Sequence, residues 1–425
     1  MSGAGEDGGA RRVPPVPDRS GVVPVRPWTG RRVLLGVTGG IASYKSAWLA
    51  RLLTLAGAEV DVVLTRSARE FVGAITFEAL TGRPVHQELL AAGHALDHIR
   101  LARDAHALVV APATADFIAR AVHGHADDLL SASLLATTAP VLLVPAMNDR
   151  MWGHAQTARN VTHARELGYH VLDPDTGMLA AGEGSGPGRM PEPETIFAHV
   201  GRLLEPDGAL TGRRIIVTAG PTREAVDPVR FLSNRSSGKM GVAIAAAAWR
   251  RHAHVTLIAG PLDVRAPTGV ELRSVETTGE MAAAVEESLG DADALIMAAA
   301  PADFRATAPA ASKIKKAAAA PTLELAPTAD ILASTRKARR KGAVIVGFAL
   351  ETENAVAHGR DKLSAKDLDL IVVNDATEIG AGFGVDTNRV TILARSGDAE
   401  ELPLLSKADV AEAILDRVEA LLRGS

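Results

Sequence analysis

Two distant stretches of this chain open in the same way. "RRVLLGVTGG" (31–40) and "RRIIVTAGPT" (213–222) each run from an arginine pair through a short apolar strand into a glycine turn. Behind the first, Trp48, Leu49, Leu52, Leu53 and Ala56 fall on one helical face, Gly57 closes the helix, and 60–64 reads as a second strand. Behind the second, "GVAIAAAAWRR" reads as helix and "HVTLIAG" as strand. "HALVVAPATADFIAR" (106–120) and "APVLLVPAMN" (139–148) add buried strands with polar residues at their C-terminal ends, where open α/β sheets bind ligands. "ALIMAAAPADF" (294–304) echoes "ALVVAPATADF" (107–117). Strands alternating with helices make mainly parallel sheets. The sequence therefore predicts an α/β chain of two doubly wound domains in tandem, 31–210 and 211–425, joined near "LLEPDGALTG" (203–212). Residues 1–30, rich in Gly, Pro and Arg, read as a disordered tail.

Composition narrows the chemistry. The 425 residues exceed one ordinary core, which agrees with two domains. Aromatics are only 3%, which suits layers of small helix formers and branched strand residues. A net charge of −4 argues against a nucleic-acid surface. No cysteine is present, so disulfides, thiolate zinc sites, iron–sulfur clusters and cysteine nucleophiles are excluded. No apolar run has the length of a signal-peptide core or a membrane span. The expected protein is cytoplasmic, with neither membrane nor nucleic acid as partner.

Several motifs invite phosphate. "GVTGGIASYK" (36–45) places Gly39, Gly40 and Ser43 between a strand and a helix, where backbone N–H groups can hold an anion. A plain tight turn is an equally good reading of the glycines. "LTRSA" (64–68) ends the next strand with Thr65 and Ser67, and two such strand ends side by side favour a mononucleotide such as FMN. His98 is a single histidine in "LDHIRLARDAHALVV", and Asn148 ends "PAMN", where on sequence alone a turn-forming asparagine is the plainer reading. "GPTREAVDPVRFLSNRSSGKMG" (220–241) gathers Thr222, Arg223, Arg230, Asn234, Arg235, Ser236, Ser237 and Lys239 before one helix. Hydroxyls, cations and a helix start together make an anion site. It is not a purine P-loop, since Met240 follows the lysine. "ASKIKKAAAA" carries Lys313, Lys315 and Lys316, either a solvated charge run or a basic loop that closes over a triphosphate. Lys362 and Lys366 share one helix face and suit a polyphosphate or solubility equally.

Taken together and in order, "GVTGGIASYK", "APATADFIAR", "PAMN", "GPGRM", "TAGPTRE", "DPVRFLSNRSSGKMG", "KIKK" and "VGFALET" resemble the bifunctional phosphopantothenoylcysteine decarboxylase/phosphopantothenate–cysteine ligase of coenzyme A biosynthesis. The resemblance runs from Arg31 to the C-terminus and implies two Rossmann-like domains, the first flavodoxin-like and FMN-binding, the second a CTP-binding ligase. The ligase would join 4′-phosphopantothenate to L-cysteine through an acyl-cytidylate, most simply with Mg²⁺ on the triphosphate. The decarboxylase would convert 4′-phosphopantothenoylcysteine to 4′-phosphopantetheine, FMN oxidising the cysteinyl thiol before CO₂ leaves. By resemblance His98 is the base, and Asn148 with Met147 binds the substrate carboxylate. Gly39, Gly40, Ser43, Thr65 and Ser67 cradle FMN. In the ligase half Asn234 handles the acyl intermediate beside Arg235, Ser236, Ser237 and Lys239, and Lys313 neutralises triphosphate charge. Ala299, Asp303, Thr328, Asp330, Ile331, Phe348, Lys362 and Lys366 match nucleotide-contacting positions. At 328–331 this chain has Thr-Ala-Asp-Ile where the family has Asn-Pro-Asp-Ile. The resemblance also implies a homo-oligomer, with ligase dimers and flavin-domain trimers that build dodecamers.

Two other function classes deserve comparison. A non-catalytic flavoprotein is disfavoured by His98, Asn148 and the ligase motifs. A nicotinamide-dependent reductase is disfavoured because neither half has G-x-G-x-x-G. One departure bears on activity. By the same resemblance many family members carry a flap cysteine before "GPGRM" as proton donor, whereas here "GMLAAGEGSGPGRM" has Ala181 at the matching place. Glu183, Ser185 or a flap-held water would then donate, or the final reduction fails, or the half is a scaffold. The working decarboxylase with a substituted donor is the expectation carried forward.

Overall fold

The computed structural model describes residues 27–90, 95–180, 182–315, 322–351, 354–375, 382 and 384–424. In the first half, strands β1 (Arg32–Val37), β2 (Glu59–Leu64), β3 (Val85–His86), β4 (Ala107–Ala113), β5 (Val141–Pro145) and β6 (His170–Val171) form one parallel sheet. Their order is β3-β2-β1-β4-β5-β6. Helices cover both faces, so β1 and β4 read as near-continuous apolar runs rather than alternating ones, while β2 buries Asp61 by pairing it with Arg83 at 2.8 Å. A flap hairpin follows, β7 (Asp175–Met178) with β8 (Ser185–Arg189).

The second half opens with β9 (Arg214–Ala219) and an arm, β10 (Arg223–Ala225) paired with β11 (Phe231–Ser233). Strands β12 (His254–Ala259), β13 (Glu271–Ser274) and β14 (Ala294–Met297) come next, then a second arm, β15 (Phe304–Ala306) with β16 (Leu325–Pro327). β17 (Val344–Glu351), β18 (Leu370–Asp375), β19 (Thr387–Asn388), β20 (Val390–Ala394), β21 (Ala399–Glu401) and β22 (Leu405–Ser406) complete it. The main sheet runs β13-β12-β9-β14-β17-β18-β20-β21, parallel as far as β18 and antiparallel beyond.

Both halves therefore reverse direction beside their first strand, between β1 and β4 and between β9 and β14, and a crevice forms at each switch point. The echo between 107–117 and 294–304 marks these equivalent strands. The same hydrogen bond recurs in both: Thr38 Oγ1 accepts from Thr114 N, and Thr218 Oγ1 from Ala299 N, each at 3.1 Å.

Three expectations need correction. Trp48 does not join the buried helix face; Leu49 and Leu53 do, while Trp48 is 47% exposed and donates to Glu194 at 2.8 Å. The tail does not extend through residue 30. Trp28 is buried, stacks against Phe197 with ring centroids 4.6 Å apart, and its backbone N–H donates to Ala56 O. Residues 1–26 lie outside the described residues. Finally, the linker is shorter than 203–212, because the helix Pro193–Leu204 packs Ile196, Val200 and Leu204 on the first core and turns its other side to the second half.

That helix makes the joint. Arg202 stacks on the Trp249 ring and donates to Trp249 O, His199 meets Trp249 edge-on at 5.1 Å, and Arg250 pairs with Glu205 at 2.9 Å. Burial, helped by nearby Arg202 and His170, pulls His199 down from its usual range to about 4. A histidine so depressed stays neutral when folded, whereas the unfolded chain takes up a proton below about pH 6.5. Its contribution is full above pH 6.5 and is lost as pH falls toward 4, at up to about 1.4 kcal/mol per pH unit. His199→Phe keeps the ring contact and removes the titration. The urea midpoint of the wild type should fall more steeply than that of His199→Phe between pH 6.5 and 4.5; equal slopes would rule out the buried histidine as their cause.

Candidate active sites

The crevice of the first half is a cavity of about 360 Å³ at the C-terminal ends of β1, β4 and β5. Gly39 and Gly40 follow β1, Thr114 and Ala115 follow β4, and Ala146, Met147 and Asn148 follow β5. Gly39 has no room for a side chain: a Cβ there would stand 2.3 Å from Ser67 Cβ and 2.8 Å from its backbone carbonyl carbon. Thus the glycine turn lies directly against the end of β2, as the two adjacent strand ends required.

The hydroxyls behave differently from the glycines. Ser43 is fully buried, and its Oγ donates to Thr38 O at 3.0 Å and Gly40 O at 2.6 Å. Thr65 Oγ1 accepts from Ala68 N at 3.3 Å. Both brace the turns, and neither they nor Ser67 belong to the cavity walls. Asn148 caps the short helix Asp149–Trp152, its Oδ1 accepting from Arg150 N at 2.9 Å. Its amide N–H groups have no partner among the described residues and sit on the wall, so the turn-former is also a free donor. The flap seals one side. Met147 N donates to Gly188 O at 3.0 Å, and Gly188 takes φ +135° where a Cβ would meet Met147 O at 2.2 Å. Close docking of this kind explains why "GPGRM" needs its glycines.

His98 is not on these walls. It lies in the first turn of the helix Asp97–Asp104, and its Nδ1 is buried without a partner among the described residues. Residues that the sequence reading missed include Lys45, whose buried Nζ donates to Met190 O at 2.8 Å and pairs with Glu192 at 3.2 Å. Of the two candidate flap donors, Glu183 lines the cavity and Ser185 does not; Ala181 lies outside the described residues.

The second crevice is larger, about 480 Å³, and most of the ligase candidates meet there. Asn234, Ser236, Ser237 and Lys239 reach it from the loop before the helix Lys239–Arg250. Ala299 and Asp303 come from the segment between β14 and β15, Thr328 and Asp330 from the loop after β16, and Ile331 from the start of the short helix that follows. Phe348 lies on β17, and Lys362 and Lys366 on the helix Ala355–Ala365 and its C-cap. Asn234 Nδ2 donates to Ala300 O at 3.1 Å and Pro301 O at 2.9 Å, which ties the loop to the end of β14. Thr328 Oγ1 donates to Ala302 O at 2.6 Å, so this departure from the family pattern uses its hydroxyl to pin the loop.

The lysines are held by carboxylates. Lys362 pairs with Glu351 at 2.6 Å, Lys366 with Asp330 at 3.0 Å and Lys239 with Asp386 at 2.6 Å. Burial pushes Glu351 and Asp330 upward, but their lysine partners and neighbouring donors outweigh it and hold both below the usual carboxylate range. Arg235 is exposed and not on the walls. Neither is Lys313, whose neighbour Ile314 hangs from the first arm through Asp227 and Arg230. Lys316 lies outside the described residues. Sequence reasoning missed Asn374, Asn388 and Lys407, all on the walls.

Comparison with known proteins now adds identity. Residues 25–205 match the family described as Flavoprotein, and residues 210–422 the family described as DNA/pantothenate metabolism flavoprotein C-terminal domain. The chain is 46% identical over 409 residues to the coenzyme A biosynthesis bifunctional protein CoaBC of Mycobacterium tuberculosis (strain ATCC 25618 / H37Rv), covering 93% of this chain and 97% of the relative. The chain belongs to the CoaBC family. It is also 44% identical over 396 residues to the CoaBC protein of Bacillus subtilis (strain 168), over 92% of this chain and 97% of that one. A crystal structure of a CoaBC C-terminal domain is 38% identical, covers 52% of this chain and all of that one, and has a TM-score of 0.45. The two CoaBC family regions meet between 205 and 210, just past the helix that forms the joint.

Proposed function

We propose that this chain carries out two consecutive steps of coenzyme A biosynthesis. A ligase in residues 211–425 joins 4′-phosphopantothenate to L-cysteine using CTP. A flavoprotein decarboxylase in residues 31–210, with Trp28 in its core, converts 4′-phosphopantothenoylcysteine to 4′-phosphopantetheine. The observation that carries the reading is the gathering of Asn234, Asp303, Asp330, Phe348, Lys362 and Lys366 around one cavity in a CoaBC family member.

A carboxylate is a poor electrophile at neutral pH, so the acid must first be activated. Cytidylation supplies the leaving group, and the cysteine amine attacks the acyl carbon. Lys239, Lys362 and Lys366 rest against Asp386, Glu351 and Asp330, an arrangement a polyphosphate enters by exchange of partners. Charge placed in advance where the triphosphate departs lowers the barrier. Among the described residues no cluster of His, Cys, Asp and Glu could hold a metal by itself. Mg²⁺ would ride on the triphosphate, with exposed Asp303 and the Lys366-paired Asp330 the carboxylates on the wall.

In the first half, the apolar walls of Ile41, Ala42, Ala115, Met147, Met151 and Leu179 with the Gly39–Gly40 turn fit FMN, a flat ring with one phosphate. Held there, FMN would supply a reversible two-electron oxidation of the cysteinyl side chain. Asn148 offers its amide N–H groups to the substrate carboxylate, and the docked flap keeps water out. His98 as base and Lys313 as triphosphate clamp each lie off the cavities of their own chain. That separation supports a homo-oligomer in which a second copy supplies them, and the assigned chemistry is that of a cytoplasmic enzyme.

Incubating the full chain with 4′-phosphopantothenate, cysteine, CTP and Mg²⁺ should give the amide and then its decarboxylated product by mass. EDTA should stop the first and spare decarboxylation of supplied 4′-phosphopantothenoylcysteine. Equal use of ATP, or no product at all, would overturn the ligase reading.

A further inference from the structure

One corner of the ligase cavity has a positive charge that the residues already assigned do not use. Lys407 opens the C-terminal helix Lys407–Arg423, and its side chain is on the cavity wall although the residue is only 7% exposed. Its Nζ donates to Gly382 O at 3.0 Å and has no carboxylate partner among the described residues. Holding a carbonyl does not need a charge; an amide would do it without the cost of burying an ammonium. The neighbouring carboxylate Asp386 is already bound by Lys239 at 2.6 Å. Burial, then the neighbouring Lys239, pull the Lys407 ammonium below the usual lysine range, and Asp386 only partly offsets them. Among the described residues the corner thus holds two cations to one carboxylate.

The surroundings are those of an anion site. The helices Lys239–Arg250 and Lys407–Arg423 pack side by side, through Arg251 with Glu412, Asp416 and Glu419, and both N-termini face this cavity. Asn388 is 1% exposed, and its Oδ1 accepts from Gly382 N at 3.3 Å, so the Gly382 peptide is fixed from both sides. Asn374, near the end of β18, lines the wall with a buried Oδ1 that has no partner among the described residues. An amide reads equally with its nitrogen and oxygen exchanged, and the exchanged form turns its NH₂ to that spot. With the Asn374 amide so turned, Lys407 and Asn374 both face the cavity as donors, and the two lysines suit an acceptor carrying more than one negative charge.

We propose that Lys407, with Lys239 and Asn374 beside it, forms a phosphate subsite of the ligase cavity. The inference rests on the ligase reading above. Two sources share this chemistry: the pyrophosphate end of the nucleotide and the phosphomonoester of 4′-phosphopantothenate. A phosphate here exchanges Lys239 away from Asp386 and meets Lys407 directly.

The test measures binding of inorganic pyrophosphate and of 4′-phosphopantothenate to the full-length protein by calorimetry. Lys407→Met should weaken one probe by about ten- to a hundredfold, the range of one hydrogen bond to a charged group, and leave the other within about twofold. The weakened probe identifies the source. Lys407→Arg, which keeps the charge, should recover most of the loss. If the wild type makes the amide and Lys407→Met binds both probes normally, the subsite is wrong and the ligase reading stands. Equal loss of both probes reduces Lys407 to a brace for the Gly382 peptide and also overturns it. A wild type that binds neither probe and makes no amide overturns subsite and ligase together. Should Lys407→Met fail to fold, Asn374→Asp decides: a carboxylate there should weaken one probe in the same way, and unchanged binding refutes the proposal.

Discussion

Asn234→Asp should lower ligation by about 10²–10³-fold, the usual loss when a positioned donor beside a developing charge is removed. Decarboxylation of supplied 4′-phosphopantothenoylcysteine should stay unchanged. The reason lies in what the amide does. Asn234 Nδ2 donates to two carbonyl oxygens, Ala300 O and Pro301 O, both about 3 Å away. Aspartate cannot donate, and its carboxylate would face both oxygens. It must leave, either shifting the 234–238 loop off the end of β14 or swinging into the cavity. Either result puts negative charge or disorder where Ser236, Ser237 and Lys239 are meant to receive phosphate. The substitution changes almost no volume, so loss of packing is not the cause, and an unchanged melting temperature should confirm that. Wild-type ligation by Asn234→Asp would remove this residue from the site altogether.

The same residue shows what the sequence made legible. "NRSSGKMG" announces an anion site because its donors are adjacent in sequence and precede a helix. The strands were equally plain. Parallel strands covered on both faces must be apolar throughout, so β1, β4, β9 and β14 each appear as an unbroken run ending in polar residues. Those runs give the two switch points, and hence where the cavities lie.

Other features depend on direction or on distant contacts. Ser43 and Thr65 stand where a phosphate donor belongs, yet local backbone groups capture both hydroxyls. Short hydroxyl side chains commonly do this at turns, and spacing alone cannot show it. Trp28 follows "PVRP" in what reads as a tail, but it fills a slot beside Phe197 and Gly201 that forms only once a helix 170 residues later has docked. Lys407 follows Ser406 at a helix start and reads as a capped, solvated lysine. Its Nζ is held instead by Gly382 O, whose peptide is in turn held by Asn388 on β19. His98 and Lys313 are the reverse case, residues whose motifs assign a role that their own chain's cavity does not accommodate.

The flap gives the second large expected effect. The resemblance assigns proton donation to a cysteine that this chain replaces with Ala181, and alanine has no proton to give. Glu183 is the acid that the flap brings to the cavity wall, while Ser185 is exposed on β8 and off that wall. The turn fixes this difference. Glu183 N donates to Ala180 O at 3.0 Å, and Leu179 N to Gly184 O at 2.9 Å. Gly182 and Gly184, at φ +88° and +82°, flank the glutamate in the left-handed region that side chains avoid. A turn so constrained presents one side chain in one direction. Glu183→Gln keeps the shape and removes the carboxyl group. Because a positioned donor typically contributes ~10²–10⁴-fold, the reduction that follows CO₂ release should slow by that factor, while CO₂ release itself should hardly change. Mass spectrometry should then find a product two hydrogens lighter than 4′-phosphopantetheine. Glu183→Asp should restore part of the rate, and Ser185→Ala should behave as wild type. If Glu183→Gln still gives only the saturated product at the wild-type rate, the proton comes from elsewhere, and flap-held water becomes the remaining donor. If Ser185→Ala alone yields the lighter product, the hydroxyl has the role and the wall geometry misleads. A lighter product from the wild type itself would mean that this chain has lost the donor along with the cysteine.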